Sequence, residues 1–401
     1  MNKTRSYSIL IVLLCSVLFL PFLGGVHLFD WDEINFAECA REMIVNNNYS
    51  VVTINFLPFW EKPPLFIWLQ ALSMNMFGIN EFAARLPNAV CGIVTSVVLF
   101  NIGKKIKNNK FGLLWVLTYL GSFLPHFYFK SGIIDPWFNL FIFLGTYFMA
   151  LHTDPTSNKT GNKNILLSAL FIGLGILTKG PVAFLIYFFC VLVYLGTTKF
   201  KKIVSFKQTL LGAIVIFLIG GFWFILQVAT GHLDIIIDFF NYQVRLLTTE
   251  DSGHGGPIYY HLLVLLLGCF PASIFAIRGF KTHSKEDASA AHFKKWMVIL
   301  FAVVLILFSL VKTKIVHYSS LCYFPLSFIA AYSVEKIIRG EITWKKWMGW
   351  LIGIIGITIG LIISLPPFVD WNKEKIIASN IIKDDFAIEN LKKLFPLNKL
   401  Y

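Results

Sequence analysis

Long apolar runs separated by short polar turns extend over most of this sequence. Each run is close to the ~20 residues with which a helix crosses the ~30 Å hydrocarbon core of a bilayer. There are about eleven of them, near residues 7–26, 84–103, 111–129, 136–152, 165–178, 181–197, 208–229, 258–279, 296–311, 316–335 and 345–365. The pattern predicts an all-α polytopic membrane protein with about eleven transmembrane helices.

The long connection at residues 27–83 interrupts this pattern. Eight charged residues lie within its first part, residues 28–64: Asp30, Asp32, Glu33, Glu38, Arg41, Glu42, Glu61 and Lys62. Residues 34–45 separate polar from apolar positions at helical spacing, and Pro63-Pro64 precedes an apolar stretch that ends near Met76. These features predict two amphipathic interfacial helices in the connection. The chain divides into a transmembrane domain, residues 1–365, and a short amphipathic tail, residues 366–401.

Composition supports membrane embedding and gives an orientation. The chain is 56% hydrophobic and 14% charged, whereas soluble domains are about one quarter charged. If the N-terminus is cytoplasmic, the connections on its side of the membrane carry 21 Lys and Arg residues and the opposite connections carry eight. This asymmetry predicts a cytoplasmic N-terminus and an outer position for loop 27–83. It also explains the net charge of +13 without a nucleic-acid partner.

Cysteine placement excludes a disulfide framework as the organising feature. The six cysteines are scattered along the chain, and none forms a CxxC pair. We interpret them as small core residues with neither a disulfide framework nor a metal cluster.

Three carboxylates on the outer side are candidates for chemistry, because ionisable groups near hydrocarbon are costly to insert. Asp32 and Glu33 directly follow the first apolar run. A carboxylate there could act as a general base toward an acceptor hydroxyl, or it could cap the helix that follows. Asp135, which precedes Pro136 at the start of the fourth run, is either a helix cap or a partner of Asp32.

Several cations on the same side could bind a phosphate. Lys62, beside Glu61, forms either a simple interfacial ion pair or a phosphate contact at a helix N-terminus. Lys179 lies in the LTKGP turn, and it either extends harmlessly to the interface or meets an anion. The other members of this group are Arg245, Lys312 and Lys314, with His317 and Tyr318 beside them. His254, between glycines, is either a polar loop residue or a metal ligand.

Seven motifs occur in a familiar order: WDE…AREM, FWEKPPLFIW, FGINEFAARLP, IIDPW, LTKGP, HGGPIYY and KTKIVHY. Together they resemble the lipid-linked-sugar glycosyltransferases of the GT-C fold. This family includes the bacterial aminoarabinose lipid A transferases and the protein mannosyltransferase superfamily. The resemblance covers about residues 7–335 and implies a GT-C fold.

The resemblance also implies an activity. The donor would be an undecaprenyl-phosphate or similar polyprenyl-phosphate sugar, with no nucleotide, and the acceptor would be lipid A, another lipid or a protein. Transfer would invert the anomeric carbon at the outer face of the bacterial inner membrane. Implied catalytic residues are Asp32, Glu33 and Asp135. Implied donor-phosphate ligands are Lys62, Lys179, Lys312, Lys314, Tyr318 and Arg245. Glu61 and His254 match a divalent-metal site, with zinc as the implied metal.

Two departures leave the sugar and the acceptor open. Asn35 stands where the arabinose transferases carry Arg, and Phe59 stands where they carry Tyr. A protein O-mannosyltransferase is the alternative within the class. A transporter or flippase of a lipid-linked sugar is the alternative outside it. Such transporters use broken helices and internal repeats, and this sequence suggests no paired breaks.

Overall fold

The computed structural model describes residues 3–156, 161–249, 255–280 and 288–379, together with Ile388. Within these ranges regular structure is almost entirely helical, which confirms the all-α prediction. The chain forms two compact units, residues 1–342 and residues 343–401.

In its described residues, the first unit contains sixteen α-helices and one short hairpin. They are α1 (Lys3–Phe19), α2 (Trp31–Val45), β1 (Thr53–Ile54), β2 (Leu57–Pro58), α3 (Leu65–Phe77), α4 (Glu81–Ile106), α5 (Asn109–Leu120), α6 (Phe123–Tyr128), α7 (Asp135–Thr153), α8 (Lys163–Lys179), α9 (Val182–Thr197), α10 (Phe206–Gly220), α11 (Phe222–Ala229), α12 (Leu233–Thr248), α13 (Tyr260–Gly268), α14 (Ala272–Phe280), α15 (Ala288–Leu310) and α16 (Tyr323–Ile338). A 3-10 helix, Val316–Cys322, leads directly into α16.

The second unit contains α17 (Lys346–Trp371) and α18 (Lys373–Ala378). Helix α17 continues past residue 365, through Pro366 and Pro367. Most of the segment for which an amphipathic outer tail is predicted lies outside the described residues, and that assignment stays a prediction.

Fewer helices than expected are long enough to span a membrane by themselves. In the described part of the chain, four helical segments pass by length and hydropathy: α4, α15, the 3-10 helix together with α16, and α17. Two bent pairs raise the number to six if each pair is one span, and α9 and most of α1 are shorter apolar helices. The multi-pass prediction therefore holds, but the count of eleven spans is not confirmed.

The expectation of unbroken spans is wrong at two places. The predicted span 208–229 is α10 and α11, which bend by 56° at Gly221, and the predicted span 258–279 is α13 and α14, which bend by 116°. Adjacent glycines favour a kink at the first break. Pro271, which cannot donate to the helical ladder, lies at the second.

The first long connection folds as predicted, with one addition. Helices α2 and α3 confirm that the connection contains two helices, and their position at the membrane interface stays a prediction. An antiparallel hairpin of β1 and β2 lies between them. Its turn residues Asn55 and Phe56 both have positive φ, the combination that a tight type I′ turn requires. The buried Glu42 accepts the Phe56 N–H at 3.0 Å and so ties this turn to α2.

An aromatic core holds the first unit together. Trp115 of α5 is fully buried and packs edge-on against Phe143, Phe293 and Phe328, which come from three other helices. All six cysteines are free, and all are buried, which confirms the prediction that they are core residues. The core fixes the relative positions of α4, α7, α8 and α16, whose ends carry the polar side chains described next.

Candidate active site at the ends of helices α2, α7 and α8

Asp32 belongs to the first turn of α2 but does not cap it. The cap is Asp30, whose Oδ1 accepts the backbone N–H groups of Asp32 at 3.0 Å and Glu33 at 3.4 Å. Asp30 therefore satisfies donors that a helix N-terminus leaves unpaired. The Asp32 carboxylate is thus released from capping and can face the neighbouring elements.

Glu33 forms a buried anchor with Arg85 of α4. The guanidinium donates from Nε to Oε1 at 2.7 Å and from Nη2 to Oε2 at 2.9 Å. Glu33 is 0% exposed and Arg85 is 3% exposed. Arg85 also donates to the carbonyls of Leu23, Val26 and His27. The pair therefore fixes the chain just before α2, and in this position Glu33 has no free carboxylate oxygen for a substrate.

Gly132 completes this anchor. Its N–H donates to Glu33 Oε1 at 2.7 Å, and a Cβ added at Gly132 would lie 3.0 Å from Glu33 Cγ. The close approach explains a glycine here, since a larger residue would push Glu33 away from Arg85.

Asp135 and Lys179 meet where α7 begins and α8 ends. These antiparallel neighbours bring the Lys179 ammonium to 2.6 Å from Asp135 Oδ1. Asp135 is 2% exposed. Lys179 Nζ also lies 5.2 Å from the ring centre of Tyr318. Gly180, with φ of +98°, ends α8 directly after Lys179 while Phe239 packs on it closely, so the turn that presents Lys179 depends on glycine.

His317 lies between the two aspartates. Its Nε2 is 3.5 Å from Asp32 Oδ2 and 3.8 Å from Asp135 Oδ2. Among the described residues, neither His317 Nε2 nor Asp135 Oδ2 has a hydrogen-bond partner, although both atoms are buried. The arrangement places an imidazole nitrogen within reach of both carboxylates, with Lys179 on the far side of Asp135.

A hydroxyl network supports the backbone that carries His317. Ser320, one turn further along the 3-10 helix, donates to the His317 carbonyl in a short hydrogen bond. The Ser320 hydroxyl also lies 2.6 Å from the Tyr128 hydroxyl and accepts Asn139 Nδ2 at 2.7 Å. Because Asn139 is one helical turn from Asp135 on α7, one helix face orients both Asp135 and the His317 segment.

The electrostatics keep Asp32 ionised. Burial alone raises the pKa of the Asp32 carboxyl, but the interaction with His317 and the positive charges of Lys62 and Lys179 lower that pKa well below its ordinary value. Opposite charges close to a carboxylate favour its charged form. Asp32 is therefore ionised at neutral pH and is suited to accepting a hydrogen bond from a donor group.

A second group of cations surrounds Tyr242 of α12. Lys62 Nζ lies 5.0 Å and the Arg245 guanidinium carbon lies 5.1 Å from the centre of its ring. Trp60 packs edge-on against the same ring at 5.4 Å. Lys62 is nearly buried and lies 3.5 Å from Glu61. Two predicted phosphate ligands from distant segments thus share one aromatic wall.

The other predicted cations occupy different settings. Lys314 is buried, and its ammonium donates to the carbonyls of Phe308, Ser309 and Val311 at the end of α15. Its three hydrogens are therefore engaged with backbone. Lys312 is exposed.

The described residues do not assemble a metal site. No three His, Cys, Asp or Glu side chains are arranged to hold an ion in the parts of the chain that the structure covers. Glu61 is paired with Lys62, and His254 lies outside the described residues. The implied metal stays a prediction, and no chemical step is derived through it.

Three residues of the site had no role in the sequence-based prediction. The sequence pattern groups His317 with the cations at the Lys312–Tyr318 turn and not with the aspartates, and it indicates no function for Arg85 or Tyr242. Arg85 had a detectable signal, because a lone arginine at the start of an apolar span needs a partner. The position of Tyr242 depends on how α12 packs, which periodicity does not reveal.

Three comparisons show which known proteins this chain is similar to. Residues 61–223 match the family model described as dolichyl-phosphate-mannose-protein mannosyltransferase. The chain is 27% identical over 343 residues to the undecaprenyl phosphate-alpha-4-amino-4-deoxy-L-arabinose arabinosyl transferase of Wigglesworthia glossinidia brevipalpis, covering 84% of this chain and 59% of that protein. It is 26% identical over 314 residues to a transferase of the same name, number 1, from Proteus mirabilis, covering 76% and 55%.

Solved structures show the same architecture. The crystal structure of ArnT from Cupriavidus metallidurans bound to undecaprenyl phosphate superposes with a TM-score of 0.75 at 19% identity, covering 91% of this chain and 65% of that one. The chain therefore has the GT-C fold, and its resemblance to lipid-linked-sugar glycosyltransferases related to the protein mannosyltransferases is confirmed. It spans less than two thirds of the length of these relatives.

Proposed function

We propose that this chain, with its GT-C fold and its similarity to aminoarabinosyl transferases, is a membrane glycosyltransferase. It would transfer a sugar from a polyprenyl phosphate to a lipid or protein acceptor in the bacterial inner membrane. The observation that carries the proposal is the convergence of Asp32, Asp135, Lys179 and His317 at one end of the helical bundle. This end is the outer face if the N-terminus is cytoplasmic, as the distribution of Lys and Arg favours.

The proposed reaction needs a nucleophile and a leaving group on opposite faces of the anomeric carbon. An acceptor oxygen attacks the anomeric carbon, a new glycosidic bond forms, and the bond from that carbon to the phosphate oxygen breaks. Attack from the face opposite the phosphate inverts the configuration. The bond electrons go to the polyprenyl phosphate, which leaves as an anion.

Asp32 would position the acceptor and take its proton. As an ionised carboxylate it accepts a strong hydrogen bond from the acceptor hydroxyl, although a carboxylate with a lowered pKa is a weak base. His317, 3.5 Å from Asp32, is placed to share that proton. Asp135 faces the same imidazole nitrogen at 3.8 Å, and Lys179 balances the charge of Asp135.

The cations around Tyr242 would receive the leaving phosphate. Lys62 and Arg245 are two positive charges on one aromatic wall, and Lys62 also acts electrostatically on Asp32. Preorganised charges directed at the departing oxygen stabilise a transition state more than the ground state. In this assignment Lys314 and Glu33 hold structure, because their polar atoms are already paired.

A single transfer experiment tests the proposal and identifies the substrates. Membranes that contain the chain are incubated with undecaprenyl-phosphate aminoarabinose or with a polyprenyl-phosphate hexose, and lipid A and proteins are analysed by mass spectrometry. We expect a glycosylated product from one donor, together with free polyprenyl phosphate. If both donors are recovered intact while the folded protein is present, the proposal fails.

The two bent helix pairs favour one second candidate, a flippase of the lipid-linked sugar. Discontinuous helices are common in transporters, and α10–α11 and α13–α14 both bend sharply. A flippase would move the donor between leaflets of a proteoliposome without cleaving the sugar–phosphate bond. The same mass measurement separates the two functions, because transfer releases polyprenyl phosphate and movement does not.

A further inference from the structure

A cavity of about 520 Å³ opens between α4, α7 and α8, away from the candidate active site. Its walls are apolar and include Val97, Val98, Leu144, Phe148 and Leu151. This volume falls within the ~300–1,000 Å³ of typical ligand pockets. The apolar lining suits a hydrocarbon chain and gives a charged substrate nothing to pair with along most of its length.

One end of this cavity is polar and positively charged. Lys105, near the end of α4, and Lys163, the first residue of α8, line it together with Asn101 and Asn164. Among the described residues that line the cavity, none carries a carboxylate. The combination of an apolar groove with two lysines at its mouth is complementary to a lipid with an anionic headgroup.

The cavity lies at the opposite end of the same helices from the candidate active site. Asp135 begins α7 and Lys179 ends α8, whereas Leu151 and Lys163 lie at the other ends of these two helices. Helix α7 has 19 residues, which at ~1.5 Å per residue is about the thickness of the hydrocarbon core. The lysine end of the cavity therefore faces the leaflet opposite the chemistry.

We propose that this groove is a binding site for an anionic phospholipid of that leaflet. One acyl chain lies along Val98, Leu144 and Phe148, and the headgroup phosphate lies between Lys105 and Lys163. Basic pockets between membrane helices recognise lipid headgroups in this way. The proposal depends on the fold and not on the transferase activity, so a failure of one leaves the other standing.

Native mass spectrometry of the full chain in detergent tests the site, with phosphatidylglycerol or phosphatidylcholine as the added probe. We expect the protein to retain one molecule of phosphatidylglycerol, and we expect phosphatidylglycerol to displace phosphatidylcholine from the site. The variant with both Lys105→Gln and Lys163→Gln should bind phosphatidylglycerol about 25-fold more weakly, or about fivefold for each lysine, from ~1 kcal/mol per cation.

A matched control removes two positive charges from lysines that do not line the cavity. The double variant Lys104→Gln and Lys110→Gln alters two lysines of the same surface that do not line the cavity, and it should retain the lipid. Leu144→Phe narrows the apolar groove and should also reduce retention, with thermal unfolding used to confirm that the variant is folded. Equal retention of both phospholipids, equal loss in the two double variants, or displacement of phosphatidylglycerol by undecaprenyl phosphate would overturn the proposal.

Discussion

The Lys179 ammonium donates a 2.6 Å hydrogen bond to Asp135 Oδ1, while the other oxygen of that carboxylate faces His317. The pair joins α7 to α8 at a buried position, so each charge depends on the other for compensation. It also leaves one Asp135 oxygen available to hold the imidazole that lies beside Asp32. The ion pair therefore supports both the fold and the candidate chemistry.

Removing Lys179 alone should destabilise the protein more than removing both members of the pair. Lys179→Met leaves Asp135 buried and unpaired, which costs about 3–5 kcal/mol. Adding Asp135→Asn to that variant removes the orphaned charge and should recover much of the loss. Thermal unfolding in detergent measures both steps as a double-mutant cycle.

Activity should not follow that recovery. The double variant regains stability but lacks the Asp135 carboxylate that faces His317 and the Lys179 ammonium that pairs with this carboxylate, so sugar transfer stays low. Additive losses of stability in the two single variants, with no coupling between them, would show that the pair does not act as a unit.

Asp32→Asn should abolish sugar transfer without loss of folded protein. The amide keeps the shape of the side chain but removes the anion that orients the acceptor and receives its proton. General acid–base groups typically contribute 10²- to 10⁴-fold to rate, and we expect a loss in that range. The measurement is product formation per folded protein in membranes.

Asp30→Asn is the matched control for this prediction. It removes one negative charge two residues away, and asparagine is as good a helix N-cap as aspartate. The control should keep most of the activity. If Asp32→Asn keeps most activity as well, the Asp32 carboxylate has only a structural role.

The sequence predicted which segments contain the candidate site residues but not which side chains pair. Apolar periodicity predicted α2, α3 and the α8–α9 hairpin, because each depends on local spacing and turn residues. The contact of His317 with both aspartates depends on how α2, α7 and the 3-10 helix pack, and these elements are far apart along the chain. Local sequence patterns do not predict contacts between elements that are far apart along the chain.

The roles of the charged residues show the same limit. Asp32 and Glu33 are adjacent, yet one faces the site and the other is buried against Arg85. Helical rotation of about 100° per residue separates them, and only the position of α4 decides which one is buried. Likewise, Lys62 and Lys314 look equivalent in sequence. In the structure Lys62 packs against the ring of Tyr242, whereas Lys314 donates to backbone carbonyls at the end of α15.

Lys62→Ala and Lys314→Ala should therefore affect different properties, the first donor binding and the second stability. Lys62→Ala removes a charge from the Tyr242 wall and should weaken the binding of polyprenyl phosphate about tenfold, with little change in unfolding temperature. Lys314→Ala removes hydrogen bonds from a charged donor to backbone carbonyls, each worth about 1.5–3 kcal/mol. It should lower the unfolding temperature while donor affinity stays unchanged.

Binding of undecaprenyl phosphate to each purified variant, measured below its unfolding temperature, separates the two effects. If Lys314→Ala weakens donor binding as strongly as Lys62→Ala, both lysines contact the phosphate. Unchanged affinity in Lys62→Ala would remove the Tyr242 wall from the proposed donor site.

The pH dependence of transfer should change when His317 is replaced. The pKa of Asp32 lies below its unfolded value of ~3.9, so the stability that its ionised form provides is present above that value and is lost only as the pH falls through the lower folded pKa. His317→Gln removes the main influence that lowers this pKa, while burial continues to raise it. The acidic limb of the pH–rate profile should therefore move to higher pH by about one unit or more.

His27→Gln, which alters an exposed histidine paired with Glu81, is the control and should leave the limb in place. If His317→Gln lowers the rate equally at every pH without moving the limb, the histidine positions the substrate and does not set the charge of Asp32.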